Sequence, residues 1–335
     1  MFINFFFISY TPANSKIYSI DNIKITEPYN IEFKKEKVID KAFKEAFNLL
    51  IAKILSSEEM NKVNENNLRS IKQMIDSFSI INEQFINNNY SADFEVLFSK
   101  KEVLKYLDYK NVVSSSPKKK NILFIPILLD LDRNEFVIYD KNFFYTNWNL
   151  KKKKSDLLTY MLPEEDIDDL NLIKKNIDNI ENYDFKDLLV KYGQQDFIIS
   201  IFFYSKNNFS VLSKIKLNNK ISIIKSEYIK KNSNNIMSEL KTLFENKWKK
   251  LNQINTSIRL SLDLSLNSKN IKLIQRFENE LNNSDLIYNF NIEKITSDKT
   301  TYNIIYNSTP DNFINEFSSK EFQINISKNI WEIYE

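Results

Sequence analysis

The chain has no cysteine, no histidine and a single glycine, Gly193, among its 335 residues. Each absence removes chemistry. Without a thiol or an imidazole there is no thiolate nucleophile, no imidazole base, no Ser-His-Asp triad and no ordinary zinc site. Disulfides are impossible, so cysteine usage carries no information about compartment. Phosphate-cradling loops need several glycines to bring backbone against phosphate, and a lone Gly193 excludes nucleotide binding by those motifs. Arginine is scarce as well, at Arg69, Arg133, Arg259 and Arg276 among 47 basic residues. With abundant Asn, Ile and Phe, this points to an AT-rich coding sequence, a bias that thins Gly, Pro, Arg, Ala and His without functional reason. Any enzyme chemistry is left to Ser-Lys dyads, carboxylate pairs, tyrosine or oxygen-ligand metal sites.

What remains is the composition of a folded protein. Hydrophobic residues make up 42%, aromatics 14% and charged residues 27%, a globular balance. The net charge of +3 is far from the basic excess of a dedicated nucleic-acid binder. An apolar run opens the chain, Phe2 to Tyr10, followed by Thr11-Pro12-Ala13-Asn14-Ser15. Residues 1–15 read as a signal peptide or its remnant, cut after Ala13, although no Lys or Arg precedes the run. The alternative is a buried first strand in a cytoplasmic protein. No other stretch reaches the roughly 18 apolar residues of a membrane helix. Membrane contact is therefore expected only peripherally or through the N-terminus.

The pattern beyond residue 16 predicts an α+β protein of three domains, at 16–113, 121–252 and 255–335. The first is an N-terminal β-α-α-β-β-α unit. It has a strand from Lys16 to Thr26 and an amphipathic helix from Lys35 to Leu55, with Val38, Ala42, Phe43, Ala46, Leu49, Leu50 and Ile54 at helical spacing. A helix from Asn67 to Phe78, strands Ile80 to Ile86 and Tyr90 to Phe98, and a helix Lys100 to Tyr109 complete it. Ser114 to Lys120 reads as the linker. The second is a central α/β domain with strands Asn121 to Leu131 and Glu135 to Tyr139. Helical stretches follow at Lys154 to Met161, Glu164 to Ile180 and Asp184 to Tyr192. Gly193 is expected as the left-handed cap of the last of these. Strands Asp196 to Tyr204, Asn208 to Lys216 and Ser222 to Tyr228 and a helix Asn234 to Leu251 close the domain. The third has the C-terminal ferredoxin-like order β-α-β-β-α-β: Thr256 to Leu264, Lys269 to Leu281, Leu286 to Ile295, Thr301 to Tyr306, Pro310 to Phe317 and Glu321 to Ile333.

Candidate sites are each matched by an ordinary structural role. Asp130 and Asp132 share a strand face and could hold a hard cation, yet Asp-Arg-Asn at a strand end is common hairpin chemistry. Glu164, Glu165, Asp166, Asp168 and Asp169 could form an acidic cation site, yet acids after Pro163 also suit a helix's first turn. Ser116-Pro117-Lys118-Lys119 and Ser213-Lys214-Ile215-Lys216 have the S-x-x-K spacing of serine acyl enzymes, but the partner motifs are missing. Lys118 to Lys120 and Lys151 to Lys154, with Phe143, Phe144, Tyr145 and Trp148 nearby, could touch phosphate or anionic lipid. A solvated loop is the simpler reading of such runs. Trp148, Trp248 and Trp331 read as core or interface anchors. No catalytic, metal or cofactor residue is assigned.

With these blocks laid out, the chain resembles an exported bacterial family, domain-of-unknown-function family 2066. The likeness lies in the leader, the helix Ala42-Phe43-Lys44-Glu45-Ala46-Phe47-Asn48-Leu49-Leu50, the strand Asp93-Phe94-Glu95-Val96-Leu97-Phe98, and the apolar strand Ile122-Leu123-Phe124-Ile125-Pro126-Ile127. Leu162-Pro163-Glu164-Glu165-Asp166 resembles the family's acidic helix start, and Lys191-Tyr192-Gly193 its helix-ending glycine. The family's usual Gly, Arg and Trp are thinner here, and lysines stand where an Arg precedes the apolar strand. The resemblance implies export and a multi-domain α/β organisation, and brings no catalytic residues. The expected function is a non-enzymatic periplasmic or envelope-associated binding or accessory module for an envelope protein or cell-wall component. The alternatives are a divalent-cation-dependent hydrolase using carboxylates and an accessory nucleic-acid binder.

Overall fold

The computed structural model describes residues 18–63, 67–193, 195–254, 259–284, 286–327 and 330–334. The opening apolar run and the cleavage expected after Ala13 lie outside these residues. The protein is α+β, with helices and strands in mixed sheets. Its described residues form two compact units, one drawn from Met1–Ser116 with Asn252–Glu335 and one from Pro117–Leu251.

In the first unit, strand β1 (Ser19–Pro28) leads into helix α1 (Lys35–Ile54), short helices α2 (Ser57–Met60) and α3 (Leu68–Gln73), strands β2 (Ile75–Ile86) and β3 (Asn89–Phe98), and helix α4 (Lys100–Tyr109). The sheet order is β1-β3-β2, antiparallel throughout. Strand alternation turns Tyr90, Ala92, Phe94, Val96 and Phe98 to one face, where all five are buried with Val38, Ala42, Phe43, Ala46, Phe47, Leu50 and Ile54 of α1. The helix expected from Asn67 to Phe78 stops at Gln73. Ile75 and Phe78 instead pair with Phe98 and Val96. Sheet pairing overrides a helical spacing only one turn long.

The second unit holds β4 (Lys120–Asp130), β5 (Glu135–Val137), α5 (Phe143–Asn147), β6 (Leu158–Met161), α6 (Ile167–Lys175), α7 (Lys186–Tyr192), β7 (Phe197–Ser205), β8 (Asn208–Leu217), β9 (Lys220–Ile229) and α8 (Ser233–Leu251). Its sheet runs β5-β4-β7-β8-β9, with β6 also paired to β4. The β4 pairings with β6 and β7 are parallel and the others antiparallel. Both faces of the centre are covered, which is why β4 is an unbroken apolar run. Ile122 and Phe124 of β4 pack with Phe144, Trp148, Leu240, Phe244 and Trp248. Leu123, Ile125 and Ile127 pack on the other face with Ile173, Ile180, Phe185 and Leu188. The stretch Lys154 to Met161, read as helical, holds instead the strand β6, because Leu158 through Met161 pair in parallel with Lys120 through Leu123. Helix α5, absent from the sequence reading, starts from the buried Asn142. Its side chain accepts from Phe144 N at 2.9 Å and donates to Pro126 O at 3.1 Å.

After the crossing of residues 252–254 beside 114–116, where Ser115 bridges Gln253, the first unit continues. It adds β10 (Leu260–Leu266), α9 (Ile271–Asn283), β11 (Ile287–Ile295), β12 (Thr300–Tyr306), α10 (Pro310–Ser318), β13 (Gln323–Asn325) and β14 (Trp331–Tyr334). The sheet order is β11-β12-β10-β14-β13. The stretch expected as one closing strand is therefore two. The chain turns where Asn325 Oδ1 accepts from Ser327 N at 2.9 Å, and β14 slots in parallel to β10 with β13 outside it.

Left-handed backbone, ordinarily supplied by glycine, is supplied here by asparagine. Among the described residues, nine of the thirteen non-glycine residues at positive φ are Asn: 22, 82, 87, 88, 111, 134, 207, 218 and 219. Gly193 takes the expected cap position after α7 at φ 58°, with open space where a Cβ would sit. Its substitution therefore tests backbone strain alone. Gly193→Ala is expected to cost about 1 kcal/mol in urea unfolding and Gly193→Asn clearly less.

Candidate functional site

The acidic segment after Pro163 is organised around one lysine. Asp166 caps α6, its Oδ1 accepting from Asp168 N at 2.7 Å and Asp169 N at 3.4 Å. Its other oxygen meets Lys191 Nζ, which also reaches Asp169 Oδ1 at 2.8 Å. The second oxygen of the buried Asp169 accepts from the hydroxyl of Tyr192, with Tyr139 at 3.4 Å. Lys191 thus stands where a cation would sit. The hydrogen bond from Lys191 holds the Asp166 carboxyl below the usual range. Burial, with Asp169 alongside, pushes the Tyr139 phenol to about 12 and raises that of Tyr192 as well.

Asp130 and Asp132 do not converge. Asp130 Oδ1 accepts from Asp132 N and Arg133 N, both at 3.1 Å, closing its own turn. Asp132 reaches instead to the β7–β8 turn, where Ser205 Oγ donates at 3.0 Å and Lys206 N at 2.9 Å. Among the described residues, no group of three or more Asp, Glu, His or Cys side chains could hold a metal ion.

The S-x-x-K matches separate on geometry. Ser213 and Lys216 are three apart on β8, so their side chains leave opposite faces of the strand. Ser213 Oγ is buried against Ser200 Oγ at 2.8 Å. Ser116, also buried, sits in extended chain with its N–H on Asn252 O. Of the aromatics near the lysine runs, Phe144 and Trp148 are core residues at 1% and 0% exposure, and Phe143 is exposed. Lys120 pairs with Asp196 at 2.5 Å. Lys153 N donates to Asp156 Oδ2 at 2.8 Å within the Lys151 to Lys154 loop.

A cluster that the sequence reading missed lies beneath that loop. Glu245 and Lys249, one turn apart on α8, are both buried. Glu245 accepts from Leu157 N at 3.1 Å and Leu158 N at 2.8 Å. Burial raises its carboxyl, and those two hydrogen bonds oppose the shift only in part. Burial likewise lowers Lys249. Trp148 Nε1 and the Tyr160 hydroxyl are buried without a hydrogen-bond partner, and burial drives Tyr160 far up. The available signal was the Glu-Lys spacing of four beside Phe244 and Trp248, on the apolar face of α8.

A second missed feature is an aromatic edge on the first sheet. Strand β2 ends the sheet and is nowhere fully buried. Phe85 is 59% exposed beside Tyr29 at 52%, and Phe78, at 44%, lies further along β2 with its ring against Phe43 at 5.0 Å. Tyr29 meets Phe85 edge-on at 5.0 Å and Phe33 at 4.9 Å.

No protein-family model matches the chain, and no curated protein does. A solved structure described as that of an uncharacterized protein matches 40% of this chain and 88% of its own, at 7% identity and a TM-score of 0.13. A likeness that low carries no argument. No helix among the described residues is long and apolar enough to cross a membrane.

The buried carboxyl has a measurable signature. A folded pKa above the ordinary 4.5 means that Glu245 binds protons more tightly folded than unfolded. Its contribution to stability is thus largest in acid and is lost as pH rises from 4.5 through the raised value. Glu245→Gln is expected to remove that loss. Subtracting its stability-pH curve from that of the wild type should leave a decline above pH 4.5, and a flat difference would refute the assignment.

Proposed function

We propose that this protein is a non-enzymatic exported module, periplasmic or envelope-associated, that binds an envelope protein or a cell-wall component. The observation carrying the reading is the exposed ring pair of Tyr29 and Phe85 at one end of the open strand β2, with Phe78 exposed further along it. Soluble proteins blunt open sheet edges with charge, proline or cover. β2 instead offers exposed rings beside a free strand edge, the combination that marks interaction surfaces. The candidate carboxylates support the same reading from the other side. Asp130, Asp132, Asp166 and Asp169 are all engaged by the protein's own N–H, O–H and ammonium donors. The apolar run from Phe2 to Tyr10 supports the compartment.

Purified protein is expected to cosediment with an isolated bacterial envelope fraction. Phe85→Asp should weaken that binding at least ~10-fold, about 1.4 kcal/mol, while melting as the wild type does. Absence of cosedimentation rejects the reading, and an unaffected Phe85→Asp rejects the surface. The melting temperature is expected to stay constant across magnesium, calcium and manganese salts. A cation-dependent rise abolished by Asp130→Asn would favour the hydrolase instead.

A further inference from the structure

The open edge of the sheet in the second unit reads as a self-pairing strand. β9 is its last strand, joined to β8 by the two-residue Asn218–Asn219 turn at φ 48° and 61°. In a hairpin of this kind the residues flanking the turn, Leu217 and Lys220, form a hydrogen-bonded pair. Every second residue from Lys220 therefore bonds inward to β8, and the odd-numbered residues from Ile221 to Ile229 turn their N–H and C=O groups outward. Lys230 fits the alternation, its N–H pointing back to Asn208 Oδ1 at 3.2 Å.

Those same odd residues carry exposed side chains on one face. Ile221, Ile223 and Ile229 are 72%, 60% and 70% exposed, and Lys225 and Glu227 stand exposed between them. A long open strand edge carrying exposed apolar side chains is a template for another strand. The sequence Ile223-x-Lys225-x-Glu227-x-Ile229 also reads as its own complement when reversed about Ser226.

We propose that a second copy of this chain pairs antiparallel along β9, about a two-fold axis through Ser226. In that register Ile223 faces Ile229 of the other copy, and Lys225 faces Glu227. The outward backbone groups of both strands meet as hydrogen-bonded pairs, joining two sheets into one. Such an isologous contact closes at two copies. The registers shifted by one residue to either side of the axis oppose Lys225 to its own copy or Glu227 to its own copy, and like charges directly across a sheet repel. Within the chain, Lys225 meets only an exposed pairing, with Glu181 at 3.0 Å, which is weak enough to exchange.

Sedimentation equilibrium at up to ~0.1 mM, where a micromolar interface is filled, should give twice 39.9 kDa for the wild type. Lys225→Glu and Glu227→Lys alone should each give 39.9 kDa, the combined swap should restore the dimer, and Glu181→Gln should leave it intact. Ser226 and its copy would face each other with Cα atoms about 4.5 Å apart, within disulfide reach. In a chain without cysteine, Ser226→Cys should then cross-link to a dimer on mild oxidation, and the distant Lys220→Cys should not. A monomeric wild type overturns the proposal. So do single swaps that still dimerise, a combined swap that does not, or cross-linking by Lys220→Cys in place of Ser226→Cys.

Discussion

Every reversal of this chain except one is made with a Cβ in place, and the rest of the structure depends on that being tolerable. A left-handed residue with a side chain is strained unless the side chain can bond locally, and asparagine does this best among non-glycine residues. The β2–β3 turn uses Asn87 and Asn88, the β7–β8 turn Asn207, and the β8–β9 turn Asn218 and Asn219. Each hairpin register follows from its turn, and each buried face from its register. Phe185, also left-handed at φ 58°, is one of four such residues that are not asparagine, with Lys206, Lys230 and Glu321. Its ring is wholly buried under the ammonium of Lys214 at 5.3 Å, so packing rather than a local hydrogen bond holds its backbone.

The acidic residues show a related economy. Asp130, Asp132 and Asp166 each accept backbone N–H groups where a turn or helix start leaves them without partners. Glu245 does the same across the second unit, fixing the start of β6 from α8. Carboxylates used in this way are structural caps held at full occupancy. Among the exposed apolar side chains, those of β2 and β9 stand on open sheet edges.

Long periodic segments were legible from the residues. Helix α4 spans Lys100–Tyr109 as its spacing predicts, and the alternation of β3 is reproduced in its burial. The failures are short. Ile75 and Phe78 keep helical spacing with Ile71 but are claimed by β3. Leu157, Leu158 and Tyr160 are apolar enough for a helix face, and only the neighbouring strand β4 decides otherwise. Partners distant in sequence set both outcomes, and local pattern contains no trace of them. The candidate carboxylates were legible with both of their readings, and their neighbours Lys191, Tyr192 and Lys206 come from elsewhere in the chain. The Glu245–Lys249 cluster was hidden because a charged pair one turn apart usually marks a solvated helix face.

Burial of Glu245 and Lys249 has one further consequence. With no histidine and no cysteine, the chain has no side chain whose ordinary pKa lies between the carboxylates and the lysines and tyrosines. Its net charge of +3 therefore changes little between about pH 6 and about pH 7, before lysines and tyrosines titrate toward the isoelectric point near 8.5. Electrophoretic mobility, colloidal behaviour and long-range steering should hardly differ between an acidified medium and a neutral one. Against that level background, burial moves both members of the α8 pair toward neutrality, Glu245 upward and Lys249 downward, beneath one loop.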